Sequence, residues 1–87
     1  MEEAVYAYQP HPSIATSLGN IGQVYDSRGD YGKALEYYER SLAMEEAVYG
    51  NQPHPSIATS LGNIGQVYNS RGDYGKALED DERSLAL

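Results

Sequence analysis

The chain has 87 residues, a formal net charge of −7 and 40% hydrophobic residues, with nine Tyr but no Phe, Trp or Cys. Without Cys there is no disulfide, thiolate metal ligand or Cys nucleophile. The surplus of carboxylates disfavours nucleic acid and anionic membrane surfaces, which are held through Lys and Arg. No apolar run reaches the roughly 20 residues that span a bilayer, and Met1-Glu2-Glu3 lacks the basic start of a signal peptide, so a soluble, cytoplasmic protein is expected.

The dominant pattern is an internal repeat. Residues 1–43 laid on 44–86 differ at five positions: Ala7/Gly50, Tyr8/Asn51, Asp26/Asn69, Tyr37/Asp80 and Tyr38/Asp81. Two copies this alike are expected to share one fold. Met1 to Tyr8 repeats Met44 to Asn51, which closes a helix in the next copy, so the chain is expected to open on the tail of a helix. Gln9-Pro10-His11-Pro12 breaks it, because a residue before proline is pushed out of the helical region while Pro12 suits the first turn of a new helix.

That new helix is predicted over Pro12 to Arg28. Ile14, Leu18, Ile21, Val24 and Tyr25 are spaced as one helical stripe expected to face inward. Gly19 and Gly22 interrupt it at roughly 1 kcal/mol each relative to Ala. Close approach of a neighbouring helix would explain Gly22, and nothing in the sequence explains Gly19.

Ser27-Arg28-Gly29-Asp30 reads as a tight turn, with Gly29 left-handed and Asp30 capping the second helix. That helix is predicted from Tyr31 to Tyr49, with Tyr31, Ala34, Leu35, Tyr38, Leu42, Val48 and Tyr49 inside and Ser41 and Glu45 as interruptions. Gly50-Asn51-Gln52-Pro53 ends it, Pro55 opens a third helix, Gly72-Asp73 turns the chain, and a fourth runs from Tyr74 to Leu87.

Leu18-x-x-Ile21-Gly22-x-x-Tyr25 with Ala34-x-x-x-Tyr38 after it, and Leu61, Ile64, Gly65, Tyr68 and Ala77 in the second copy, resemble the tetratricopeptide repeat signature. The period of 43 instead of 34, His-Pro before the first helix of each pair and the long end of the second resemble the kinesin-light-chain type. The resemblance implies an all-α fold of antiparallel helix-turn-helix repeats, stacked as an α-solenoid fragment of a superhelix. It implies one domain over 1–87: a partial helix at 1–9, a first repeat at 10–52 and a truncated second repeat at 53–87.

In that family the first helices of the pairs line a concave groove that binds extended peptides or protein segments without catalysis. The matching positions are Thr16, Asn20, Gln23 and Asp26, then Thr59, Asn63, Gln66 and Asn69, with Gly19, Ser27, Gly62 and Ser70 beside them. Asn20 and Asn63 fall where the family uses an amide to donate to and accept from a peptide backbone at once. Against this stands the plain reading of solvated polar residues opposite a core stripe. A clamp for a peptide C-terminus needs basic residues, and Gly19 and Gly62 stand at one of its key positions.

The remaining polar residues point to structure. His11 and His54, one per repeat with no second ligand nearby, suit helix-start capping better than a metal site. The pairs Glu2-Glu3, Glu45-Glu46 and Asp80-Asp81 are expected on a solvated face, since adjacent helical residues do not face each other. No acid, base and nucleophile converge, so no enzyme, cofactor or metal is expected. Asp80-Asp81 in place of Tyr37-Tyr38 reads as charge capping the end of a stack, in a segment cut from or designed after a longer array.

The expected partner is thus a protein or peptide, with neither nucleic acid nor membrane involved. The alternative is structural self-stacking: Leu87 falls at the phase of Met44 and Met1, which permits head-to-tail self-association. With two repeats, stability is expected to be low or to be gained by association.

Overall fold

The computed structural model describes residues 10–50 and 52–86, so the helix tail expected at 1–9 lies outside the described residues. The first element, α1, runs Pro12–Ser27 with Pro12 in its first turn. His11 precedes it in extended conformation, and its Nδ1 accepts the Ser13 N–H at 3.0 Å. The imidazole thereby satisfies one of the donors that a helix start leaves open.

At the other end Gly29 takes φ 78°, and the Asp30 N–H donates back to the Tyr25 carbonyl at 2.9 Å. This left-handed closure consumes an orphan carbonyl of the last turn. Asp30 then caps α2, Tyr31–Tyr49, through a 3.4 Å bond from the Lys33 N–H. The second copy repeats the devices in α3, Pro55–Ser70, and α4, Tyr74–Ala86. Ser56 N–H reaches His54 Nδ1 at 3.1 Å, Asp73 N–H reaches the Tyr68 carbonyl at 2.8 Å, and Gly72 has φ 84°. Helix starts and turns therefore stand where the sequence places them. α1 stops at Ser27, with Arg28 as its cap residue, and Leu87 lies outside the described residues. The described residues are all-α, and none of their helices is long and apolar enough to cross a membrane.

Each helix packs on the next in the chain: α1 on α2, α2 on α3, and α3 on α4. The hairpins are antiparallel, as Ser41 in the second half of α2 meets Ala15 near the start of α1, and Ser84 of α4 meets Ala58 of α3 in the same way. One buried cluster joins Ala34, Leu35 and Tyr38 of α2 to Ile64 and Val67 of α3, with Tyr25, Tyr31, Leu42 and Tyr68 at its margin. Burying large side chains such as Ile64 and Tyr38 stabilises by about 1.5–3 kcal/mol each, so this seam holds the two hairpins together.

Gly22 is the close approach expected of it. A Cβ there would lie 2.8 Å from the Tyr38 ring, so the missing side chain is the socket for that ring. Its counterpart Gly65 faces Asp81, whose Oδ1 would be 2.7 Å from such a Cβ.

The stripe on α1 departs from expectation. Ile21 and Val24 are 40% and 56% exposed, whereas the identical residues Ile64 and Val67 are 3% and 0% exposed. The cause is position in the stack: α3 is covered by α2 on one side and α4 on the other, while among the described residues α1 packs chiefly on α2. The stripe thus serves two neighbours, and only a helix with both buries all of it.

Candidate functional site

A cleft of about 520 Å³ opens between α1 and α3. Its walls carry Thr16, Asn20 and Gln23 from α1 and Thr59 and Asn63 from α3; Tyr38, Ser41 and Glu45 of α2 form its floor. Each wall arises because the first helix of a hairpin turns its apolar stripe onto the second and leaves the opposite, polar side outward. Stacking through α2 sets the two polar sides edge to edge.

The cleft gathers only part of the residues expected to form a binding face. Asp26 is half-buried, close enough to Tyr38 to reinforce the upward pKa shift that burial gives that phenol. Gln66 and Asn69 are exposed and lie away from the cleft. Gln66 matches Gln23 in sequence, but Gln23 looks across at α3, whereas no further hairpin lies beyond α4 among the described residues. Gly19 lies on the cleft wall, and a Cβ there would meet Ser41 Oγ at 3.5 Å, an ordinary contact.

The floor holds residues that an apolar pattern does not single out. Ser41 and Glu45, polar interruptions of the α2 stripe, are both buried. The Ser41 hydroxyl donates to the Ala15 carbonyl at 2.8 Å, tying α2 to α1. Glu45 accepts from the Ser60 hydroxyl, tying α2 to α3. Spacing carries a signal for both: Ala34, Tyr38, Ser41 and Glu45 are four, three and four apart, which keeps all of them on one helical face.

The expectation that the acidic pairs lie on a solvated face is therefore corrected. Within each described pair the first carboxylate is buried, Glu45 and Asp80, and the second, Glu46 and Asp81, is exposed. A turn of about 100° per residue separates them, so one falls on the inward face. Burial pushes the Glu45 carboxyl above the usual carboxylate range, with Glu46 adding to the rise, while the Ser60 hydrogen bond and His54 oppose it. Asp80 is raised in the same way by burial, against the pull of Arg83, whose guanidinium lies 3.8 Å from it. Asp80 occupies the place of Tyr37, whose ring stacks on Tyr25 at 5.6 Å between centroids.

Both His cap helix starts, His11 that of α1 and His54 that of α3. Besides its capping bond, the His54 ring stacks on Tyr49 at 3.6 Å, fixing the end of α2 against the start of α3.

Helical hairpins that stack by their apolar faces and leave a polar cleft define a helical-repeat protein of the solenoid class. The tetratricopeptide repeat family model matches residues 2–47 and 13–87, and the chain belongs to that family. Comparison with curated proteins gives no match. Members of this family generally mediate protein–protein interactions and are typically non-enzymatic scaffolds.

Proposed function

We propose that the chain is a protein-interaction scaffold of the kinesin-light-chain type, acting in the cytoplasm without catalysis and holding an extended peptide or protein segment in the cleft between α1 and α3. One observation carries the reading: equivalent polar positions of both copies, Thr16 and Asn20 against Thr59 and Asn63, line a single cleft. An extended strand exposes alternating N–H and C=O groups, and a side-chain amide can pair with both. Two amides on opposite walls suit a strand laid along the cleft.

Peptides selected by phage display on the wild type provide the test. Replacing Asn20 and Asn63 together by Ala should weaken them by about tenfold or more, from hydrogen bonds of about 0.5–1.5 kcal/mol each, with helical circular dichroism unchanged. Selected peptides that bind the double variant as tightly would remove the cleft from the function.

A second reading, head-to-tail self-stacking, is favoured by the uncovered faces. Leu78 of α4 is 60% exposed where Leu35 of α2 is 7% exposed, and Tyr74 is exposed beside it. These residues and the uncovered Ile21 and Val24 of α1 repeat the two halves of the α2–α3 seam. Sedimentation velocity over a concentration series separates the readings, since growth with concentration supports stacking and a constant monomer opposes it.

A further inference from the structure

Among the described residues the cleft has walls of neutral polar side chains and one carboxylate in its floor, that of Glu45. Glu45 is 8% exposed, and its hydrogen-bond partner among the described residues is the Ser60 hydroxyl. An ionised carboxylate has about four acceptor sites; Ser60 uses part of that capacity, and no oxygen of Glu45 is both buried and unpaired, so the rest is open to the cleft. None of the chain's Lys and Arg residues lines the cleft. Among the described residues the titratable groups around Glu45 are Glu46 on its own helix, which disfavours its charge, and His54 ahead of α3, which favours it; Tyr38 shares the floor. α1 contributes only Ala15, Thr16, Gly19, Asn20 and Gln23 to the lining, all uncharged.

A carboxylate buried without a cation is costly, and pairing it recovers much of that cost. The chain's charge of −7 adds a long-range attraction for cations and repels acidic segments. We propose that the cleft selects a segment bearing a Lys or Arg side chain, whose cation is received by the Glu45 carboxylate at the floor while the backbone lies between Asn20 and Asn63. This deepens, and rests on, the scaffold reading. It assigns Glu45 a role in choosing the ligand, beyond joining α2 to α3 through Ser60.

The test uses three short peptides of one Ala/Ser background that differ at a central residue: Lys, norleucine or Glu. Binding to the intact chain is tracked by fluorescence anisotropy and by the amide cross-peaks of Asn20 and Asn63. The Lys peptide should move both amides and bind about tenfold tighter than the norleucine peptide, the scale of one charge-assisted hydrogen bond. That margin should vanish in Glu45→Gln, which keeps a hydrogen-bonding group for Ser60. It should persist in Glu46→Gln, which removes an equal charge from an exposed site away from the cleft.

The proposal is overturned if the margin survives Glu45→Gln, if both variants erode it equally, or if the norleucine or Glu peptide binds as tightly as the Lys peptide. In the last case movement of the groove amides leaves the scaffold reading standing. Silence of those amides with all three peptides removes the scaffold reading and the inference together.

Discussion

Two glycines of α1, three residues apart, should respond to alanine in opposite directions. Alanine in a helix interior is favoured over glycine by about 0.8–1.0 kcal/mol. At Gly19 the new Cβ would, among the described residues, touch only Ser41 Oγ, at 3.5 Å. Gly19→Ala should therefore keep most of the gain and stabilise by about 0.5–1 kcal/mol. At Gly22 the new Cβ would lie 2.8, 2.9 and 3.2 Å from three atoms of the Tyr38 ring. That ring is buried in the cluster with Ile64 and Val67, so it cannot swing aside without opening the seam.

Overpacking of this kind costs about 1–3 kcal/mol, which outweighs the helix gain and leaves Gly22→Ala destabilised by about 1 kcal/mol. For a chain of this size 1 kcal/mol moves the thermal midpoint by roughly 4–8 °C, so the two variants should separate clearly in urea or heat unfolding monitored at 222 nm. Equal stabilisation by both would refute the claim that Gly22 is a socket for Tyr38.

The same contacts set other outcomes. Ser41→Ala removes the buried hydroxyl bond to Ala15 and should cost about 1 kcal/mol, with Ser84→Ala, at a half-buried site, costing less; urea midpoints decide the order. Glu45 and Asp80 are both raised in the fold, so the native state holds their protons more tightly than the unfolded chain. Their contribution is thus fully present below the ordinary carboxylate pKa and is lost as pH rises through the raised values. Urea midpoints across that window should show this loss shrinking in Glu45→Gln, and an unchanged slope would contradict the assignment. Asp80→Tyr with Asp81→Tyr gives α4 the aromatic face of α2 and should promote head-to-tail growth in sedimentation, which Ile21→Glu on the opposite face should abolish.

The helix starts and turns were legible because local chemistry sets them: Pro12, the His11 cap, and the Gly29-Asp30 pair act within a few residues. The exposure of Ile21 and Val24 was not, since two identical stripes differ only in how many neighbours the stack supplies. The site was half legible for the same reason. Thr16, Asn20 and Gln23 meet a facing helix, while Gln66 and Asn69 have none among the described residues. Ser41 and Glu45 escape a pattern built on apolar residues because their polarity outweighs their spacing, although burial with a hydrogen-bond partner satisfies both.

A cleft between α1 and α3 exists only if α2 seals against α3, and nuclear Overhauser contacts report that seal directly. Cross-peaks from the Tyr38 ring to the methyls of Ile64 and Val67 are the expected result, in dilute solution and without any ligand. Their absence, with the Val67 methyls open to a soluble relaxation agent, would show two separate hairpins and no cleft.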